Sequence, residues 1–151
     1  MVLVPGSQDE SRGDAANSRP SPVVIAIGDL MLGSRAREAL KTLGLEPAVA
    51  SSAEDLEARL SGRVSLFIID LGEARWSPID AIRRAKSRGI AVLAYGRHTD
   101  VETLEAAGKA GADRVVPRSV FAASLPDLIL ELTRPAGEGW ASGPGGDGRQ
   151  P

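Results

Sequence analysis

Asp70 is the residue whose type and position most clearly suggest chemistry. It closes the run Val64-Ser65-Leu66-Phe67-Ile68-Ile69-Asp70, which is apolar and rich in β-branched residues and is followed at once by Leu71 and Gly72. Such a run is typical of a buried parallel strand. Because ligands of open α/β sheets gather outside the carboxyl ends of the strands, we expect Asp70 to stand at the functional edge of a sheet.

A second candidate motif is the pair Gly28 and Gly33, which have the spacing of a phosphate-binding loop and lie between a predicted strand and a predicted helix. That motif requires Lys and then Ser or Thr after the second glycine, whereas this chain has Ser34 and Arg35. The residues between the glycines are also apolar rather than small. A small-ligand or nucleotide site over residues 28–34 is therefore kept only as an alternative.

His98 is the only histidine, and the chain has no cysteine. Zinc and copper sites need a cluster of such ligands, so neither metal is expected. We interpret His98 as a solvated loop residue, because no nucleophile that it would activate can be identified.

The bulk composition excludes several partners. There are 18 basic and 20 acidic residues, a formal net charge of −2, so nothing attracts the chain as a whole to nucleic acid or to an anionic membrane. Aromatic residues make up only 3%, which removes the stacking platforms of single-strand binders. No apolar run approaches the about 20 residues of a spanning helix. With no cysteine to form disulfides, a cytoplasmic protein is expected.

Composition also predicts three regions. Residues 1–22 and 134–151 are rich in Gly, Pro and small polar residues and have too little to bury, so both are predicted to be disordered. Residues 23–133 are predicted to form one domain. Trp140 in the tail is interpreted as an exposed side chain, with a docking role as the alternative.

Within residues 23–133, apolar runs alternate with helical patterns. Strands are predicted over residues 23–27, 47–50, 64–70, 90–95 and 114–116. The second to fifth helices are expected to begin at Ser51, Ser77, Thr99 and Ser124. The first helix is expected to place Leu32, Ala36 and Leu40 on one apolar face. Five such units predict an α/β fold of three layers, a flavodoxin-like, doubly wound (βα)5 parallel sheet with strand order 2-1-3-4-5.

This arrangement resembles the receiver domain of bacterial response regulators. The resemblance is carried by an Asp that ends the third strand, by Ala110-Gly111-Ala112-Asp113 before the fifth strand, and by Pro117-Arg118-Ser119-Val120-Phe121 after it. It implies that Asp70 is the candidate phosphoacceptor and that Arg118 takes the position of the family's lysine. It also implies a Mg²⁺ site, for which Asp29, Asp70 and the backbone of Gly72 are the weak candidates.

The chain departs from this pattern at the remaining positions. The two acids that follow the first strand in the family fall on Ile27 and Gly28, and Asp29 lies one position late. The short hydroxyl that ends the fourth strand falls on Tyr95 or Gly96, and a phenol is too long to replace it. Arg118 keeps the charge of lysine but changes its reach and geometry.

The sequence therefore predicts a stand-alone, non-enzymatic, receiver-like module. It would act by protein–protein interaction in a bacterial two-component type pathway, with phosphorylation of Asp70 weak or absent and no cofactor required. A signalling protein is the expected partner, and a histidine kinase is one candidate. The alternatives are a working Mg²⁺-dependent phosphoacceptor that uses Asp70, and a small-ligand or nucleotide-binding flavodoxin-like domain.

Two surface features are compatible with either a structural or a functional role. Arg75 and Trp76 either line the mouth of the Asp70 site or pack over the next helix, and packing is favoured for Trp76. The basic residues of the third helix are interpreted as a solvated face, with an acidic partner as the alternative; they are Arg83, Arg84, Lys86 and Arg88.

Overall fold

A computed structural model of the chain describes residues 21–133. Five strands and five helices alternate along it: β1 (Val23–Ala26), α1 (Leu30–Thr42), β2 (Pro47–Val49), α2 (Ala53–Leu60), β3 (Leu66–Asp70), α3 (Pro78–Ser87), β4 (Val92–Gly96), α4 (Val101–Lys109), β5 (Arg114–Pro117) and α5 (Arg118–Thr133). A 3₁₀ turn (Ala74–Trp76) precedes α3.

The five strands form one parallel sheet in the order β2-β1-β3-β4-β5, so the predicted doubly wound fold is confirmed. Asp70 stands opposite Tyr95 in the register of β3 with β4, and Ile69 stands opposite Ala26 in that of β1 with β3. The ends of β1, β3 and β4 therefore meet at one edge of the sheet, with Asp70 in the middle.

Each face of the sheet has its own core, because side chains alternate along a strand. In β3, Phe67 and Ile69 pack with α2, α3 and α4, whereas Leu66 and Ile68 pack with α1 and α5. All four side chains are completely buried. Burial on both faces explains why β3 reads as a continuous apolar run, and it fixes the direction in which the strand delivers Asp70.

The helices begin close to the predicted positions, with corrections of one residue. The cap of α2 is Ser52, whose hydroxyl accepts from the N–H of Asp55, and the cap of α4 is Asp100, which accepts from the N–H of Thr103. The predicted caps Ser51 and Thr99 each lie one residue too early. In both cases the next residue is a capping type at least as good, and the spacing to the following acid favoured the earlier one.

Ser77 precedes α3 as predicted, but its side chain makes no capping hydrogen bond. Its N–H closes the 3₁₀ turn on the carbonyl of Ala74 at 2.9 Å, and its backbone is left-handed with φ +48°. The turn and the helix share this residue, which leaves no room for the extended backbone of an ordinary N-cap.

The prediction for the last helix was wrong at its start. Helix α5 begins at Arg118, directly after β5, and Ser124 is a kink inside it with φ −120° and ψ 22° rather than its first residue. Phe121 explains the early start, because it is fully buried and stacks on Tyr95 with ring centroids 4.1 Å apart. The residues between Arg118 and Ser124 are thereby held against the sheet.

The predicted disordered arm falls outside the described residues except for Ser21 and Pro22, and the predicted tail with Trp140 lies wholly outside them. The proposed limits of the domain therefore stay predictions. None of the helices described between residues 21 and 133 is both long enough and apolar enough to cross a membrane.

Candidate functional site

Asp70 is 8% exposed and is the one buried charged side chain within residues 21–133. Its Oδ1 accepts a hydrogen bond from the N–H of Gly72 at 2.9 Å, and its Oδ2 accepts a longer one from the N–H of Gly28 at 3.4 Å. Both donors come from the loops at the ends of β1 and β3, so these two loops orient Asp70.

Gly28 has no side chain, and Glu73 from the loop after β3 occupies the space that a side chain there would need. A Cβ placed on Gly28 would lie only 2.2 Å from Oε1 of Glu73. Glu73 follows β3, and its N–H donates to the carbonyl of Asp70 at 3.3 Å. A carboxylate therefore lies where a side chain at position 28 would stand. Sequence reasoning missed Glu73, because its approach to Gly28 depends on the path of the loop.

Asp29 has both carboxylate oxygens engaged. Oδ1 accepts from the N–H of Leu32 at 2.9 Å and caps α1, and Oδ2 binds the guanidinium of Arg118. The hydrogen bond from the Leu32 backbone, followed by the one from Arg118, lowers the pKa of Asp29 below its usual value. Asp29 is therefore the charged cap of a helix, and a metal at Asp29 would have to compete with both donors.

Arg118 lies at the start of α5 and is about half exposed, with 48% of its side-chain surface accessible. Its hydrogen bond to Asp29 is the main reason that its pKa is raised. The cation that the resemblance assigned to the phosphoacceptor is therefore at the correct edge of the sheet. Its ion-pair partner, however, is Asp29 and not Asp70.

Tyr95 stands opposite Asp70 on β4 and is 1% exposed. Its hydroxyl has no hydrogen-bond partner within the described part of the chain. Burial, together with the negative charge of Asp70, raises the pKa of this phenol far above its usual value. Of the two registers considered for the family's hydroxyl, the structure places Tyr95 level with Asp70 and Gly96 one residue beyond.

A cavity of about 380 Å³ opens beside Asp70, on the side of β4. Its lining combines Asp70 and Asp100 with Arg97 and Arg118, two hydroxyl groups and two leucines. This mixture of charges is suited to a polar group attached to Asp70 or to a small polar ligand.

A metal fits this edge poorly as it stands. The structure holds no group of three or more Asp, Glu, His or Cys side chains arranged for a metal ion among residues 21–133. Mg²⁺ can be held by one or two carboxylates with several waters. Of the predicted set, Gly72 directs its N–H to Asp70, and Asp29 is paired with Arg118.

The remaining candidate site residues are either structural or exposed. Gly33 lies inside α1 and donates to the carbonyl of Asp29 at 2.8 Å, so residues 28–34 do not form a phosphate loop. Trp76 is buried at 2% exposure in the core under α3, with the guanidinium of Arg75 over its ring. His98 is exposed on the loop after β4.

The basic residues of α3 bind acids of this same chain. Arg83 pairs with Asp80, both Arg84 and Arg88 reach Glu57 of α2, and Lys86 pairs with Asp113. Four cations therefore share three acids within the chain, and the interpretation of this face as solvated rather than partner-binding stays a prediction.

The comparisons with known proteins give structural relatives only. No family model matches the sequence, and no curated protein matches it. The structure is similar to that of an orphan response regulator of H. pylori, with 24% identity, a TM-score of 0.62 and coverage of 77% of this chain and 99% of that one.

Two further solved structures agree with this likeness. A response regulator receiver domain protein from Clostridium thermocellum is 22% identical, with a TM-score of 0.64 and coverage of 76% of this chain and 94% of that one. A CheY-like receiver domain protein from Methanospirillum hungatei is 18% identical, with a TM-score of 0.64 and coverage of 74% and 91%. The chain thus has the fold of response regulator receiver domains, and the predicted resemblance is confirmed at the level of fold.

Proposed function

We propose that this chain is a cytoplasmic, non-enzymatic, receiver-like signalling module of a two-component type pathway, which acts by binding a partner protein. Phosphorylation of Asp70 would be weak or absent. Fold alone does not decide between an active and a degenerate receiver, since site chemistry determines function.

The contact between Asp29 and Arg118 is the observation that carries this proposal. A phosphoryl group on Asp70 adds negative charge that needs a nearby cation and hydrogen-bond donors. The ion pair engages, in a single contact, the only acid among residues 27–29 and the cation at the lysine position. Asp70 is left with two backbone amides as its hydrogen-bond donors.

A phosphodonor assay tests the proposal directly. The full chain is incubated with Mg²⁺ and acetyl phosphate, and its intact mass is followed over time beside that of Asp70→Asn. We expect both proteins to keep their original mass. A phosphoryl group that appears on the wild type and not on Asp70→Asn would overturn the proposal.

A working phosphoacceptor is the second candidate, and the position of Glu73 favours it. Glu73 lies against Gly28 and so supplies a carboxylate beside Asp70 that the end of β1 lacks. In this case Asp70 would accept the phosphoryl group, with Mg²⁺ held weakly by carboxylates at this edge. Phosphorylation would then need Mg²⁺ and would fall in Glu73→Gln, while Glu54→Gln, an exposed acid of α2, would behave as wild type.

The interaction half of the proposal has its own test. If phosphorylation is not the signal, wild type and Asp70→Asn should bind the same purified kinase or regulator with equal affinity, by calorimetry. A large difference between the two proteins would show that the state of Asp70 controls the interaction.

A further inference from the structure

A second cavity, also of about 380 Å³, lies next to the Asp70 cavity and has a different chemistry. It is formed between the loop after β4 and the first turns of α5. Its lining consists of Arg97, His98, Thr99, Arg118, Ser119 and Ala122. These residues include two guanidinium groups, an imidazole and two hydroxyl groups, but no carboxylate.

The two segments that form this cavity are fixed by hydrogen bonds. The N–H of Asp100 donates to the carbonyl of Arg97 at 3.0 Å, which closes the loop after β4 into a turn. On the other side, Nη2 of Arg35 donates to the carbonyl of Ala122 at 3.2 Å and ties α5 to α1. Both segments that line the cavity are therefore fixed by hydrogen bonds. Arg35 also adds a positive charge close to the wall at Ala122.

The balance of charge around the cavity is positive. Arg118 is neutralised in part by Asp29, but Arg97 makes no ion pair with any acid within residues 21–133. Arg35 is bound to a neutral carbonyl rather than to a carboxylate. This differs from the basic face of α3, where each of the four cations has an acid partner.

We propose that this cavity binds the phosphate group of a small phosphate monoester. Guanidinium groups present forked donors that match phosphate oxygens, and hydroxyl groups complete the set. The volume lies in the range of small-molecule sites and exceeds what a bare phosphate requires, so room remains for an organic group beside Ala122. The cavity shares Arg97 and Arg118 with the Asp70 cavity, but Asp70 itself does not line it.

The chain carries its own reporters for a test, because it has one histidine and one tyrosine. His98 lines the proposed site, and Tyr95 lines the Asp70 cavity. Inorganic phosphate, glycerol 3-phosphate and AMP are each titrated into the full chain, with ionic strength held constant by sodium chloride. Resonances of the two aromatic rings are followed by NMR.

We expect a saturable shift of His98 with phosphate, larger than any shift of Tyr95. Arg97→Ala should weaken this binding by roughly tenfold or more, since it removes a charge-assisted donor. Arg63→Ala, which removes an exposed arginine before β3 at the opposite edge of the sheet, should leave it unchanged. Circular dichroism checks that both variants are folded.

The three ligands distinguish the source of the phosphate. Binding of glycerol 3-phosphate or AMP at least tenfold tighter than inorganic phosphate would identify an organic monoester as the ligand, as we propose. Equal binding of all three would instead identify free phosphate and overturn the monoester assignment. Shifts that never saturate, that persist in Arg97→Ala, or that move Tyr95 without His98 would overturn the site itself.

Discussion

Two aspartates at opposite edges of the sheet, Asp113 and Asp70, show how differently this chain treats its acids. Asp113 precedes β5, and its Oδ2 accepts from the N–H of Val92 at 2.7 Å and from Nζ of Lys86 at 2.8 Å. Asp70 ends β3, and its side chain accepts hydrogen bonds from the backbone amides of Gly72 and Gly28. Asp113 thus forms an ion pair, whereas Asp70 forms none within residues 21–133.

The difference separates a structural acid from a candidate functional one. Asp113 joins the start of β4 to β5, since its own N–H also donates to the carbonyl of Val92 at 3.0 Å. Asp70 is more deeply buried than Asp113 and faces a cavity. Its hydrogen-bond donors lie in loops rather than in a neighbouring strand. Burial beside an open cavity is the arrangement expected of a candidate functional acid, whereas Asp113 is tied into the sheet.

The largest expected effect concerns stability at Asp113. Asp113→Ala leaves the N–H of Val92 without its side-chain acceptor and Lys86 without its acid, so the free energy of unfolding should fall by about 2 kcal/mol. Asp113→Asn keeps an acceptor for Val92 and should lose less than half as much. Urea unfolding of both variants measures these losses. A loss below about 0.5 kcal/mol in Asp113→Ala would contradict a structural role for Asp113.

The second largest effect is expected when the ion pair between Asp29 and Arg118 is broken. Asp29→Asn retains a good helix cap but removes the charge that holds Arg118. Arg118 would then be free to approach Asp70. We expect acetyl phosphate to phosphorylate Asp29→Asn where it leaves the wild type unmodified, a gain in rate on the order of tenfold or more for an added electrostatic donor.

The control for this variant is Asp29→Asn combined with Arg118→Ala, which should return to the wild-type level. Equal phosphorylation of wild type and Asp29→Asn would mean that the ion pair does not limit the reactivity of Asp70.

A smaller effect is expected at Tyr95, the neighbour of Asp70. Tyr95→Phe keeps the ring that stacks on Phe121 and removes a buried hydroxyl without a partner, so stability at neutral pH should change by less than about 1 kcal/mol.

At high pH the two proteins should diverge. The folded state holds the pKa of Tyr95 above its usual value of 10.0, so the unfolded chain releases this proton first. Stability tied to Tyr95 is therefore full below pH 10 and is lost as the pH rises beyond it. Denaturation at several alkaline pH values should show wild type losing stability faster than Tyr95→Phe, and parallel curves would contradict the raised pKa.

The smallest effect concerns Asp29 in acid. Its folded pKa lies below the usual 3.8, so the stability that it contributes is present above that value and is lost as the pH falls through the folded pKa. The difference in stability between wild type and Asp29→Asn should be constant near neutrality and shrink below about pH 4. A difference that grew on acidification would contradict the assignment.

The fold was predictable because each strand and helix carries a local signal. Continuous apolar runs indicated buried parallel strands, and helix stops were marked by glycines such as Gly44 and Gly89, whose φ values are +80° and +75°. Errors of one residue arose where two capping types were adjacent. The start of α5 was missed because the burial of Phe121 against Tyr95 is a contact between distant segments.

The candidate site was predictable only in part. Asp70 and Arg118 were placed at the correct edge, because their positions follow from the ends of strands β3 and β5. Their partners were not, since Glu73 reaches Gly28 across a loop and Arg118 reaches Asp29 across 89 positions in the chain.

The sequence by itself determined the alternation of strands and helices, the strand order that such an alternation adopts, and the presence of an acid at the end of β3. These features depend on the local pattern of apolar, capping and turn residues along the chain. Only the tertiary structure decided which charges meet. It paired Arg118 with Asp29, brought Glu73 to Gly28 and gathered Arg97, His98 and Ser119 around one cavity, because those contacts depend on the paths of loops that no local pattern specifies.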